Sequence, residues 1–201
     1  ARHVKDTFEN LVRRGANMGI RELESRGGYF LGDQGAALFL GRPVYYWQQC
    51  DKTYIPKLED IEGKLARYIE LFIRTEMNSS TDYFGKNVSF DMGKLAVKAD
   101  IFDNKVDVSV TLPTRVGDFR MSKYEIKDSI QTKFGELYKF AKDFVEDNAR
   151  NRHFEIFSVT SLIFSRDLPT FGYMFDCGET IFLSPEFIGQ SLEDIVLYML
   201  G

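Results

Sequence analysis

Residues 88–112 alternate between apolar and polar side chains, and this pattern constrains the fold more than any other stretch. The apolar positions, interrupted at Gly93-Lys94 and Asp103-Asn104, are Val88, Phe90, Met92, Leu95, Val97, Ala99, Ile101, Val106, Val108, Val110 and Leu112. A period of two is typical of strands with one buried face and one solvated face. The sequence therefore predicts an antiparallel meander that carries its core on one side.

Each interruption suits a two-residue hairpin turn, which would set the register of the meander. The first turn would place Phe90 opposite Val97, and the second would place Ile101 opposite Val106. Both registers keep the apolar side chains on a single face, whereas a slip of one residue would turn them toward solvent. We expect a fourth strand over about 119–126.

Three amphipathic helices are predicted around the meander. The first spans about 4–25 and stops at Gly27-Gly28, the second starts near Pro56, and the third spans about 131–149. Each has apolar residues spaced three and four apart, as in a helix with one buried face. Short extended segments are predicted between the first two helices and again after the third.

This order of elements indicates an α+β protein, with helices packed on one face of an antiparallel β-meander and a C-terminal extended subdomain. At 201 residues we expect a single domain over 1–201. Its parts would be an N-terminal helix over 1–30, a helix-meander-helix core over 56–149 and C-terminal strands over 150–201.

Charge and composition argue against several functional classes. The formal net charge is −4 and no basic stripe is present, which disfavours nucleic-acid binding. With only two histidines, and without a zinc-protease, P-loop or dinucleotide-binding motif, the sequence predicts neither an enzyme nor a cofactor. No run of 18 apolar residues is present, so no segment of this sequence is expected to span a membrane.

One acidic group is a candidate metal site. In the expected register Asp100 lies opposite Asp107, and Asp103 and Asn104 form the turn beside them. Like charges directly opposite each other are destabilising, and a hard cation such as Ca²⁺ prefers oxygen ligands of this kind. The alternative is that solvent and neighbouring lysines screen the carboxylates.

The other candidate residues depend on the cellular compartment. Cys50 and Cys177 form one disulfide or remain two separate thiols, and a disulfide requires an oxidising environment. Asn78 and Asn87 each begin an Asn-x-Ser pattern, which is an acceptor for glycosylation only outside the cytoplasm.

The first helix and an aromatic run are candidate interaction sites. No capping residue precedes the helix, which suggests the continuation of a longer anchoring helix with Phe8 and Leu11 available to a partner. The alternative is a helix that belongs to the core of a monomer. Tyr45, Tyr46 and Trp47 would complete an exposed apolar interaction patch.

The order of the segments resembles that in a group of uncharacterised surface proteins predicted from small-genome archaea. The matching segments lie at 26–30, 43–46, 56–62, 112–113, 135–137 and 194–199. In that group a pilin-like, membrane-spanning N-terminal helix precedes an extracellular α+β domain. The resemblance implies an extracellular, single-pass anchored protein whose apolar membrane segment is absent from this chain, and it supplies no catalytic residues.

The sequence therefore favours a non-enzymatic cell-surface domain that binds protein partners or itself, as a filament-like subunit or as an adhesion or scaffold module. The alternative is a module of cystatin-like shape that holds a small ligand or a cation between helix and sheet.

Overall fold

The computed structural model describes residues 2–30, 36–39, 42–49, 52–79, 88–116, 119–151, 171–175 and 179–183. They form an α+β structure of long helices and antiparallel sheets, as predicted. The chain divides into two units, residues 1–20 with 58–135 and residues 21–57 with 136–201. The single core expected over 56–149 is thus split, because nearly all of the third helix belongs to the second unit.

Three helices and ten strands follow one another along the part of the chain that the structure describes. In order they are α1 (Arg2–Ser25), β1 (Ala36–Phe39), β2 (Arg42–Tyr45), β3 (Gln48–Gln49), β4 (Lys52–Thr53), α2 (Leu58–Ser79), β5 (Val88–Phe90), β6 (Ala96–Ile101), β7 (Lys105–Val116), β8 (Phe119–Gln131), α3 (Phe134–Asn151), β9 (Phe171–Phe175) and β10 (Glu179–Leu183).

Strand β7 is the centre of the sheet in the first unit. Strand β8 pairs with it from Lys105 to Val116, so β8 occupies one edge of β7 over its full length. Strands β5 and β6 both pair with β7 as well, and they therefore share the other edge, β5 opposite 114–116 and β6 opposite 106–111. All of these pairings are antiparallel, and β8 extends to Gln131, five residues beyond its predicted end.

The hairpin predicted at Gly93-Lys94 is wrong, because Phe90 pairs with Thr114 of β7 instead of Val97. Residues 92–94 form a 3-10 turn, in which the Lys94 N–H donates to the Asp91 carbonyl at 2.9 Å. Because β7 is 12 residues long, it accepts β5 and β6 one after the other, with this turn bulging between them.

The second predicted hairpin is confirmed. Ile101 pairs with Val106, and the Phe102 N–H donates to the Lys105 carbonyl at 2.8 Å. A two-residue turn at Asp103-Asn104 therefore joins β6 to β7, with the register that the alternating pattern predicts.

Helix α2 covers the apolar face of this sheet, and its contacts with β6 are the most extensive that it makes with a strand. Its fully buried residues are Ile61, Leu65, Ile69 and Ile73, opposite a sheet face built from Val106, Val108, Val110 and Leu112. The Glu62 carboxylate accepts the backbone N–H of Ile101 at 2.8 Å. Glu62 thereby accepts from a main-chain N–H of β6 that would otherwise need a water molecule as its partner.

Helices α1 and α2 pack closely at two glycines of α1. A methyl group at Gly19 would lie 2.7 Å from Leu65 Cδ1 and 3.0 Å from Tyr68 Cδ1, and one at Gly15 would lie 2.7 Å from Phe72 Cδ1. Glycine within a helix costs up to about 1 kcal/mol relative to alanine. Here the absence of a side chain permits the two helix backbones to approach. Gly15 and Gly19 therefore serve the packing of α1 against α2, although glycine lowers the helix propensity of α1.

An ion pair joins α1 to strand β8. The Arg13 guanidinium donates two hydrogen bonds to the Asp128 carboxylate, at 2.8 and 2.9 Å. Asp128 lies opposite Val108 and therefore on the apolar side of the sheet. A charge on that side needs a partner, because burying a lone carboxylate is costly.

The second unit begins at the end of α1, where Gly27 and Gly28 have φ of 68° and 84°. The Gly28 N–H donates to the Leu23 carbonyl at 2.8 Å, which is the bond of a Schellman helix end. Strands β1 and β2 pair with each other, and a second sheet has the order β4-β3-β10-β9. Strands β9 and β10 pair antiparallel within the region where C-terminal strands were predicted, whereas residues 184–201 lie outside the described residues.

We expect Gly19→Ala to lower the free energy of unfolding by roughly 1–2 kcal/mol. The added methyl group overpacks the contact with Leu65, which costs about 1–3 kcal/mol and exceeds the gain in helix propensity of up to about 1 kcal/mol. Denaturant unfolding followed by circular dichroism measures the change.

Gly63→Ala is the matched control, because Gly63 lies in α2 and a methyl group there would have no atom of another segment within 4 Å. This variant should gain up to about 1 kcal/mol from helix propensity alone. Equal effects of the two substitutions would contradict the close helix packing.

The Arg13–Asp128 pair predicts a dependence of stability on pH. Hydrogen bonding and charge from Arg13 hold the pKa of Asp128 below its usual value. The ionised carboxylate therefore stabilises the fold above its unfolded-state pKa of about 3.9, and this contribution is lost as the pH falls through the lower folded-state value. Asp128→Asn should be less stable than the wild type at pH 7, and the difference should shrink below about pH 4.

Glu125→Gln, which removes one carboxylate from the opposite face of β8, is the matched control for the loss of a negative charge. A constant difference between the wild type and Asp128→Asn from neutral to acid pH would show that the carboxylate charge does not contribute.

Candidate functional site

The structure places the predicted metal ligands together but gives them other partners. Asp100 pairs with Asp107 in the predicted register. Each carboxylate binds the lysine two residues away on its own strand, Lys98 at 2.7 Å from Asp100 and Lys105 at 2.7 Å from Asp107. The lysines therefore balance the two like charges, which was the alternative to a metal ion.

Further contacts complete this arrangement. The Ser129 hydroxyl donates to Asp107 at 2.6 Å, and the hydrogen bonds from Lys105 and Ser129 lower the pKa of Asp107. Asp103 and Asn104 are exposed in the turn, where the Asn104 carbonyl accepts the Thr132 N–H at 3.1 Å. Within the described ranges no three acidic, histidine or cysteine residues form a group that could hold a metal ion. The structure does not support the metal site predicted at this hairpin.

The exposed interaction patch that the sequence predicted is also wrong. Tyr45 and Trp47 are 4% and 3% exposed, and Phe8 is 1% exposed. Tyr46 and Leu11 are half-buried. Phe8, Tyr45 and Trp47 therefore belong to the interior of the chain and are not available to a partner.

Tyr45 and Trp47 belong to an aromatic cluster in the second unit, together with Tyr29 and Tyr138. The Trp47 Nε1–H donates to the Gly27 carbonyl at 2.6 Å, and the Tyr138 hydroxyl donates to the Pro56 carbonyl at 2.8 Å. The Trp47 and Tyr138 rings lie 5.7 Å apart, edge to face. Each polar tip of these large side chains thus satisfies a main-chain carbonyl of an irregular segment, which is a structural role.

Tyr29 belongs to the same cluster. Its hydroxyl donates to the Tyr54 carbonyl, and its ring lies 5.3 Å from that of Tyr45. Burial raises the pKa of Tyr29, so the phenol remains protonated and acts as a hydrogen-bond donor.

The remaining candidate residues fall at or beyond the limits of the described residues. Cys50 and Cys177 both lie outside them, so the disulfide stays a prediction. Strands near the two cysteines are neighbours, since Thr180 of β10 pairs with Gln48 of β3. Asn78 lies in the last turn of α2, and Asn87 is outside the described residues.

The sheet of the first unit presents a polar surface on the side that the alternating pattern predicts to be solvated. We call it the open face and define it by Ala96, Lys98, Asp100, Lys105, Asp107, Ser109, Thr111, Glu125, Lys127, Ser129 and Gln131. These residues alternate along β6, β7 and β8 with the buried ones, so they point away from the core. The alternation itself was the signal that could have identified them as one continuous surface.

The open face is charged, balanced and accessible. Its lysines and carboxylates form pairs within single strands, and Lys127 lies 3.3 Å from Glu125 in the third of these pairs. The side chains of Lys98 and Lys127 are 71% and 74% exposed. Exposed pairs of this kind contribute little to folding, so the charges remain available for contacts with another molecule.

Comparisons of the chain with protein-family models, with curated proteins and with solved structures find no match. Among the described helices, none combines the length and the apolar character needed to cross a membrane.

We expect Trp47→Phe to lower the free energy of unfolding by about 1–3 kcal/mol, because the Gly27 carbonyl would remain buried without its donor. Trp47→Ala, which also removes the ring contact with Tyr138, should cost about 3–5 kcal/mol. Urea unfolding followed by far-ultraviolet circular dichroism measures both. A Trp47→Phe variant as stable as the wild type would show that the hydrogen bond makes no net contribution.

Proposed function

We propose that this chain is a non-enzymatic protein-interaction domain displayed at a cell surface, as a subunit of an assembly or as a scaffold. The observation that supports this most directly is the open face. Three neighbouring strands present lysines, carboxylates and small hydroxyl side chains on one side, and the other side of the same strands is filled by the core.

The chemistry of the open face suits contact with a protein. It combines both signs of charge with short side chains such as Ser109 and Thr111, and its residues are exposed or half-buried. A surface of mixed charge gives specificity and orients a partner through complementary potentials. A small ligand would instead need a concave, mostly apolar site.

Display outside the cell is the part of the proposal that rests on the resemblance to archaeal surface proteins. In such a setting the chain would act through contacts with its neighbours, without a cofactor. The alternative of a cation-binding module loses its main support, because lysines already pair with Asp100 and Asp107.

Protease shaving of intact source cells tests the display. The protein, expressed from its whole gene, should release peptides that contain strand β8 while a cytoplasmic marker remains uncut. Release of these peptides only after cell lysis would contradict the proposal. A preparation in which the marker is also cut is discarded and the cells are treated for a shorter time.

A further inference from the structure

We propose that the open face binds the open face of a second copy of this chain, related to the first by a two-fold axis. This names the partner in the proposed function, on which it rests. The inference comes from the order of charges across the three strands, which is complementary to itself.

The register of the sheet arranges the open face in four rows that run across the strands. In order along β7 these are row 1 (Lys105 and Gln131), row 2 (Asp100, Asp107 and Ser129), row 3 (Lys98, Ser109 and Lys127) and row 4 (Ala96, Thr111 and Glu125). Row 1 carries one positive charge, row 2 two negative charges, row 3 two positive charges and row 4 one negative charge.

This sequence of charges changes sign about the line between row 2 and row 3. A two-fold axis along that line would place row 2 of one copy over row 3 of the other, and row 1 over row 4. Every charged row would then face a row of opposite charge and equal size. A two-fold contact requires a surface that is complementary to itself, and the open face meets that requirement electrostatically.

The ion pairs within each strand prepare the face for this contact. Lys98 and Lys105 are each held 2.7 Å from a carboxylate of the neighbouring row. On association each lysine would gain a second carboxylate from the other copy, above the face, while it keeps the first. The side chains are already oriented, so less conformational entropy is lost on binding.

The size of the face sets the expected strength. Four rows on three strands cover about 25 Å by about 15 Å, given a rise of about 3.3 Å per residue and a strand spacing of about 4.8 Å. This area is smaller than the roughly 800 Å² per partner of stable complexes. The contact is therefore weak and reversible in solution, and it is sensitive to salt because exposed charges supply it.

Two charge-reversed variants test the proposal. Lys98→Glu with Lys127→Glu makes row 3 negative, so it would repel row 2 of another copy. Asp100→Lys with Asp107→Lys makes row 2 positive, so it would repel row 3. Each variant should be monomeric in sedimentation velocity at low salt, and an equimolar mixture of the two should associate, because every reversed row then faces its opposite.

The control reverses the same number of charges elsewhere. Lys5→Glu with Lys64→Glu changes two exposed helical lysines and has the same net charge as the first variant. It should associate as the wild type does. Thermal unfolding of each variant establishes that it is folded before its association is measured.

The wild type provides a measurement that needs no substitution. Its apparent dissociation constant should rise at least roughly tenfold between about 20 mM and about 500 mM salt. A monomeric wild type at low salt would overturn the proposal, as would a dimer that is insensitive to salt or that persists in the Lys98→Glu/Lys127→Glu variant. If one of these results is obtained while shaving of intact cells releases peptides of β8, the partner is not a second copy of this chain. The proposal of display at the cell surface then still holds.

Discussion

The first unit depends on strand β7, because both of its edges and both of its faces are in use. Strand β8 pairs along one edge, and β5 and β6 divide the other. Val106, Val108, Val110 and Leu112 are at most 1% exposed, so one face of β7 is entirely core. The alternate residues carry the middle of the open face. A slip of one residue in β7 would exchange the two sets and destroy the core and the surface together.

The helices contribute two constraints of different kinds. The glycines of α1 permit a close approach to α2, which is a steric requirement that only the absence of a side chain meets. The Arg13–Asp128 pair instead places a charge on the inner side of β8, the outermost strand described on that side of the sheet. Inward-pointing charges are one means by which proteins discourage pairing at a strand edge. The arrangement favours contact through the open face of the sheet over contact through the edge of β8.

Sequence patterns predicted the elements well and the tertiary neighbours poorly. The hairpin at Asp103-Asn104 was predictable because turn and alternation agree over consecutive residues. The one at Gly93-Lys94 was not, because the length of β7 decides where β5 pairs. Tyr45 and Trp47 were expected at the surface, because their partners, the Tyr29 ring and the Gly27 carbonyl, come from a segment distant in the chain. The charged residues of the open face could be identified from the sequence. Their arrangement in rows across β6, β7 and β8 could not, because it depends on the pairing register of the three strands.

The balance of the open face also explains how weak contacts can be selective. Two copies with a formal net charge of −4 each repel one another at long range, and salt screens that repulsion beyond about 10 Å. At contact distance the order of the four rows decides the sign of the interaction, and the two-fold arrangement places every charged row over a row of opposite charge and equal size. Copies held on a common surface would meet at a high effective concentration, where a weak contact suffices. A charge pattern that adds little to the stability of the monomer therefore becomes significant when many copies lie side by side.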